Sequence, residues 1–238
     1  CLKNESYVIE PIAHIRSPFC EKFGIPRQSG LAESVEARIV FLEPYGEAEA
    51  FRGIEDYSHL WLIWKFTGAK SNSFSPTVRP PKLGGNRRMG VFASRSPYRP
   101  NSLGLSCVKL LGTERGEHGQ VILVVGGADL MDGTPIYDIK PYVPYADSKP
   151  QAKSGFALEG AACRTKVVFP PKLLSVIPQS LRQGLLESLS QDPRPGYQNE
   201  PDRKYYMLFS DYEIEFTADK TVLTVLSVTE KTDCRTEE

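Results

Sequence analysis

The segment "QVILVVGGADLMDGTPIYDIKPYVPYADS", residues 120–148, decides between two architectures. The apolar run Val121 to Val125, followed by Gly126 and Gly127, opens like the strand and glycine turn of a dinucleotide-binding βαβ unit. The spacing then departs from that pattern. Gly126, Gly127 and Gly133 do not form G-x-G-x-x-G, and Gly133-Thr134-Pro135 breaks the chain where a phosphate-binding helix would begin. The next run, "IYDIKPY" (136–142), reads as a further strand. Asp129, Asp132 and Asp138 alternate with apolar residues, as expected of turn-capping side chains of which one faces a pocket.

Outward from this segment, short runs rich in β-branched and aromatic residues alternate with Gly, Pro and polar clusters. "YVIEPIAHI" (7–15), "RIVFL" (38–42), "HLWLIWKF" (59–66), "MGVFAS" (89–94), "LSCVKLL" (105–111) and "QVILVV" (120–125) join 136–142 as strand candidates. They predict a mainly β chain whose N-terminal unit, 1–150, forms a closed or nearly closed antiparallel β-barrel and not a Rossmann fold. Helical periodicity enters only at "KLLSVIPQSLRQGLLESLSQ" (172–191), with Pro178 at its first turn. "DYEIEF" (211–216) and "TVLTVLSV" (221–228) then form a hairpin, so 155–238 reads as a small α+β C-terminal unit. The polar stretch 145–160 marks the boundary between them.

Composition narrows the function. Among 238 residues, 29 Lys plus Arg balance 29 Asp plus Glu, so attraction to a polyanion has to come from local clustering. The five cysteines are scattered and none forms a C-x-x-C pair, which points to reduced thiols in a cytoplasmic protein with no metal centre. No apolar run reaches the roughly 18 residues that span a bilayer, so no membrane association is expected. A first residue Cys1 in place of Met points to a trimmed or internal start.

One cluster of charge stands out. From Arg79 to Ser106 there are six basic side chains, four glycines, four prolines and no acid. Prolines fix the backbone and glycines permit close approaches, so an ordered loop presents Arg79, Lys82, Arg87, Arg88, Arg95 and Arg99 as a phosphate-binding surface would require. Tyr98, between "SP" and "RP", is the aromatic placed to stack on a base. Pairing of single arginines with acids elsewhere is the competing reading for each. In "GIPRQ" (24–28), Pro26 holds Arg27 and Gln28 on a stiff turn, where a guanidinium and an amide suit a nucleobase edge or a carboxylate. His14 and His59 read as structural hydrogen-bonding residues, and Trp61 and Trp64 face opposite sides of one strand, at least one of them in the core. Arg194, between two prolines, is read as either an RNA contact or part of an exposed linker.

The blocks "IRSPFCEKFGIPRQSGL" (15–31), "GIEDYSHLWLIW" (53–64), "VRPPKLGGNRRMGVFASRSPYRPNSLGLS" (78–106), "DLMDGTPIYDIKPYVPYADS" (129–148) and "DPRPGY" (192–197) closely resemble the TrmO (TsaA-like) family of tRNA methyltransferases. The resemblance implies an S-adenosyl-L-methionine-dependent enzyme. Its reaction would methylate N6 of threonylcarbamoyladenosine at position 37, in the anticodon loop of tRNA. It also implies a β-barrel methyltransferase domain and a homodimer with the cofactor near the subunit interface.

By motif, Pro26, Arg27, Gln28, Arg95, Leu105 and the segment Asp129, Leu130, Met131, Asp132 are expected at the cofactor, with Thr67 and Gly68 where the family often has a polar contact. Ser102 stands where many relatives have Pro, which leaves this loop one constraint looser. Tyr142, Tyr145 and Asp147 are the candidate groups for removing the acceptor proton. Arg79, Lys82, Arg87, Arg88, Tyr98 and Arg99 are expected on the RNA, with Arg88 or Arg99 matching the threonyl carboxylate. Two rivals stay open: a barrel that binds RNA and cofactor without catalysis, and a methyltransferase with another acceptor.

Overall fold

A computed structural model describes residues 6–68, 74–80, 87–158, 164–194, 200, 202–219 and 221–231. Six strands close into a barrel: β1 (Ala13–Arg16), β2 (Glu36–Phe41), β3 (His59–Lys65), β6 (Leu103–Arg115), β7 (Val121–Gly126) and β8 (Pro135–Pro141), in the order β1-β2-β7-β6-β3-β8. Every pairing in the ring is antiparallel, and β1 closes it through Ala13 opposite Ile136. Period-2 alternation fills the interior. Leu60, Leu62 and Trp64 of β3 point inward with Val108 of β6, Ile136 of β8 and, one strand further round, Leu123 and Val125 of β7. β6 is long enough to pair with β3 and then β7, with a register shift at Leu110/Gly112. Val124 is buried as well, so β7 is apolar on both faces, and this is why it reads like a strand of a parallel sheet.

Two expectations change here. Of 7–15, only the end joins β1, and 89–94 stands outside the ring. Met89–Gly90 (β5) pairs with Thr77–Val78 (β4) as a separate ribbon, and Val91–Ala93 turns as a 3-10 helix. The basic loop therefore hangs from a small ribbon and not from a barrel strand.

After a short helix α1 (Pro144–Asp147), a second sheet runs β10-β11-β12-β9. It comprises β9 (Lys166–Val168), β10 (Tyr205–Phe209), β11 (Tyr212–Ala218) and β12 (Val222–Glu230), with β9 parallel to β12. The expected single helix is split. Pro170 and Pro171 open α2 (Pro171–Leu174), and Pro178 is the N-cap of α3 (Gln179–Ser190), outside its first turn. Leu185 and Leu189 of α3 bury against Met207, Phe209, Ile214 and Phe216.

The connection from β1 to β2, Ser17–Val35, has no regular structure. It lies as a strap between both sheets: Phe19, Ala32 and Val35 belong to the second core, and Phe23 stacks on Tyr205 and Phe216. Among the described residues, no helix is long and apolar enough to cross a membrane, and no group of three or more His, Cys, Asp or Glu could hold a metal ion.

Candidate functional site

The strap touches most of the segments expected at the cofactor. Lys22 Nζ donates to the Gly68 carbonyl at 3.2 Å, the Ser29 hydroxyl accepts the Cys107 N–H at 3.1 Å, and Gly30 N–H donates to the Gly127 carbonyl at 2.9 Å. At its start, Asp132 accepts the Ser17 N–H at 2.8 Å and lies 3.5 Å from Arg16, while the Asp132 N–H donates to the Phe19 carbonyl at 2.8 Å. One irregular segment thus gathers the turn after β3, the middle of β6 and the turn after β7 at one end of the barrel.

The chemical centre of this gathering is Asp129. It follows β7 and is partly buried, and the Ser106 hydroxyl donates to its Oδ1 at 2.5 Å. Ser106 faces the barrel interior because Leu105 faces out, and its oxygen accepts Trp64 Nε1–H at 2.9 Å. Burial pushes the Asp129 carboxyl above the ordinary range, against the opposing pull of the Ser106 hydroxyl and the Arg95 charge. Arg95 also donates to the Gln28 side-chain oxygen. Gln28, Arg95 and Asp129, far apart in the sequence, therefore share one neighbourhood. Leu105 adds an apolar side chain that is 57% exposed on the outer face of β6.

The remaining expected residues divide. Leu130 is fully buried in the barrel core, so its side chain packs the interior and only its backbone is available to a ligand. Asp132 is held by Arg16 and Ser17, and the Met131 carbonyl accepts Thr134 Oγ1–H at 2.7 Å. Arg27 turns away from Gln28 toward the second sheet, where Nη2 donates to the Arg194 carbonyl at 3.0 Å. Thr67 and Gly68 sit exposed in the turn held by Lys22. Ser102 has φ 47°, a left-handed conformation that the proline ring forbids, so Ser102 sets a different turn here instead of merely loosening one.

On the basic loop, Arg79, Arg87, Arg88 and Tyr98 are exposed, whereas Arg99 folds inward and donates to the Ser94 and Ser96 carbonyls at 3.1 and 3.5 Å. Lys82 lies outside the described residues. Along the outer faces of β3 and β6, Trp61 stands opposite Cys107. Trp61 Nε1–H donates to Asp147 at 3.1 Å, the Val143 N–H donates to the same oxygen at 2.8 Å, and these bonds hold the Asp147 carboxyl below the usual range. The Tyr142 ring lies against His59 and Trp61, and Tyr145 is 91% exposed. Burial, with the Asp147 charge next, pushes the Cys107 thiol up.

His14 and His59 are structural: ring nitrogens meet the Gly133 carbonyl and the Ser58 hydroxyl. Arg194 is neither an RNA contact nor a linker residue, being 6% exposed and clamped to Asp192. Ser29, Ser106 and Lys22 were missed by sequence reasoning. For Ser106 a signal existed, since a hydroxyl at an inward position of a barrel strand has to be there for a partner.

S-adenosylmethionine suits this donor set. A partly buried carboxylate favours its cationic groups, the Arg95 fork matches a carboxylate, the Gln28 amide matches a base edge, and exposed Leu105 offers an apolar face.

Residues 14–148 match the tRNA-methyltransferase O N-terminal domain, and residues 166–231 match the TrmO C-terminal domain. The Escherichia coli K12 tRNA (adenine(37)-N6)-methyltransferase is 42% identical over 219 residues, which cover 89% of this chain and 93% of that one. A Pseudomonas aeruginosa protein named as a candidate S-adenosylmethionine-dependent methyltransferase, RcsF, is 41% identical over 89% of this chain and 92% of its own length. The crystal structure of TrmO from P. aeruginosa superposes with a TM-score of 0.78 at 34% identity, covering 96% of this chain and 99% of that one. With the barrel, the small ribbon and the C-terminal sheet all accounted for by the matching domains, the chain belongs to the tRNA-methyltransferase O family.

Proposed function

We propose that the protein methylates N6 of an adenosine at position 37 of tRNA that already carries a threonylcarbamoyl group, working as a homodimer in the cytoplasm. Family membership makes it an S-adenosylmethionine-dependent tRNA methyltransferase. The acceptor modification and the assembly are the finer reading. The barrel unit, 1–150, carries the chemistry, and the unit at 155–238 supports it.

The observation that carries this reading is the partly buried Asp129 carboxylate with Arg95 and Gln28 in its neighbourhood. When bound, S-adenosylmethionine supplies an electrophilic methyl on a sulfonium. The chain's own residues orient and exclude water: Pro26–Gln28, Thr67–Gly68, Arg95, Leu105 and Asp129–Asp132 hold the cofactor. Orientation of two reactants can lower a barrier by about 7–11 kcal/mol. The acceptor N–H lies between a purine and a carbonyl, so its lone pair is delocalised until the proton is lost. Tyr142, Tyr145 and Asp147 form the shelf to which proton removal is assigned. Exposed Arg79, Arg87, Arg88 and Tyr98, with Lys82, meet phosphates and a splayed base, and Arg88 matches the threonyl carboxylate, while Arg99, tied to the Ser94 and Ser96 carbonyls, holds the loop. The exposed Phe74 and Phe92, whose rings stack 6.4 Å apart, support a second copy covering them.

The test is mass spectrometry of anticodon-loop nucleosides after incubation with S-adenosylmethionine. It compares tRNA carrying the threonylcarbamoyl group with tRNA lacking it. Methylation confined to the modified adenosine is expected, and equal transfer to unmodified tRNA would overturn the acceptor assignment. Tyr142→Phe, Tyr145→Phe and Asp147→Asn separate the shelf: if all three keep full single-turnover rates, proton removal lies elsewhere.

A further inference from the structure

The strap places the cofactor turn in contact with the C-terminal sheet. Ser210 N–H donates to the Pro18 carbonyl at 2.6 Å, Leu208 N–H to Glu21 Oε1 at 3.0 Å, and Ser34 gives both its N–H and its hydroxyl to Glu187, at 2.9 and 2.8 Å. Within the turn, the Arg27 guanidinium leaves the barrel side to reach the Arg194 carbonyl. That carbonyl is itself fixed. Arg194 Nε and Nη2 both reach Asp192 at 2.8 Å, Nη1 donates to the Ala218 carbonyl at 2.6 Å and Nη2 to the Asp219 carbonyl at 2.9 Å, at the β11–β12 turn. On the other side of Arg27, the next residue, Gln28, receives Arg95, whose charge acts on Asp129. Hydrogen bonds thus link the β11–β12 turn to Arg194 and Arg194 to Arg27; the chain itself carries the link to Gln28 and its bond with Arg95, whose charge reaches Asp129. A cleft of about 370 Å³, lined by Lys22, Ile25, Arg27, Ser188 and Asp192, lies along the contact and gives Arg27 room to swing if its anchor is lost.

We infer that Asp192 and Arg194 are positioning residues for cofactor binding: they fix the carbonyl against which Arg27 sets the Pro26–Gln28 turn, so the C-terminal unit builds part of a site on the barrel. This rests on the reading of Pro26–Gln28 as the cofactor turn. Partial desolvation at the contact draws the Arg27 guanidinium below its usual value while the Asp192 charge opposes this, although Arg27 as a whole stays exposed. A pin of this kind sharpens ground-state geometry at the cofactor without touching the acceptor. Its loss therefore appears in the KM for cofactor and not in kcat at saturation.

Two full-length variants test it. Asp192 has φ 50°, which asparagine tolerates, so Asp192→Asn removes the charge and keeps the turn. Asp192→Asn with Arg194→Met removes both charges and leaves no buried ion unpaired. The KM for S-adenosylmethionine is expected to rise about ten-fold or more in both, with kcat at saturating cofactor and tRNA within about two-fold of wild type. Lower melting temperatures with an unchanged cofactor KM would show that the pair only holds the second sheet together, and would overturn the inference. Failure of the underlying reading looks different: the wild type itself would show no saturable cofactor binding.

Discussion

The Ser106 hydroxyl donates to Asp129 Oδ1 at 2.5 Å while accepting Trp64 Nε1–H at 2.9 Å. An indole in the barrel core therefore fixes the carboxylate at the site. Replacing Ser106 with alanine leaves a buried indole N–H and a partly buried carboxylate oxygen short of partners, at a cost of about 1–3 kcal/mol. The expected result of Ser106→Ala is a lower melting temperature together with weaker S-adenosylmethionine binding in calorimetric titration. A variant that melts lower but binds cofactor as wild type would separate the core role of Ser106 from the site.

Asp129 also gives the apo protein a pH signature. Its folded carboxyl keeps its proton to higher pH than the unfolded chain, in which aspartate titrates at about 3.9. Between that value and the raised folded one the folded state binds more protons, so stability falls as pH rises through the window. Asp129→Asn removes this slope. Stability-against-pH curves of variant and wild type should diverge upward from about pH 4 in the variant's favour, and parallel curves would mean that Asp129 does not titrate there. Cofactor binding by the variant should weaken at neutral pH.

Gly104 sets the position of Trp64 by absence. A Cβ at Gly104 would collide with Trp64 Cε2, and the indole is pinned by its bond to Ser106. Gly104→Ala is therefore expected to cost about 1–3 kcal/mol through overpacking and to shift the tryptophan emission, both readable in one thermal melt.

The arginines of the basic loop should not behave alike. Arg79→Ala with Arg88→Ala is expected to weaken tRNA binding and to reduce the slope of log K against log salt by about two, if each meets a phosphate. Arg99→Ala should instead disturb the loop that its guanidinium ties to Ser94 and Ser96. Filter binding over a salt series distinguishes the two, and an unchanged slope in the double variant would remove phosphates from the role of Arg79 and Arg88.

The barrel was legible because its strands alternate. Leu60, Leu62 and Trp64 face in and Trp61 faces out, as period 2 requires. The broken glycine fingerprint at 126–133 excluded the nucleotide fold, and the ring agrees. What local pattern could not supply was partnership at long range. β9 is three residues long and gains its place only by pairing with β12, and β10, "YYMLF", has no alternation to announce it. The proline-flanked Arg194 looks like a surface residue in sequence, yet Asp192 and two backbone carbonyls bury it. In the same way, Arg27 was assigned from its motif to the cofactor, and only the fold reveals its other partner, 167 residues away. Site residues that depend on one strand's alternation were readable; those that depend on the strap crossing between two sheets were not.

The strap has a consequence for how the newly made chain matures. Its anchors are separated from it by 153 residues at Ser34–Glu187 and by 190 at Cys20–Ser210. All six strands of the ring leave the ribosome before β10 to β12, so we expect a nascent chain to carry an assembled ring with an untethered first crossover. Ribosome-stalled chains ending before Tyr205 should then fail to retain S-adenosylmethionine that the finished protein holds. Synthesis order would keep half-made copies silent until the final hairpin arrives.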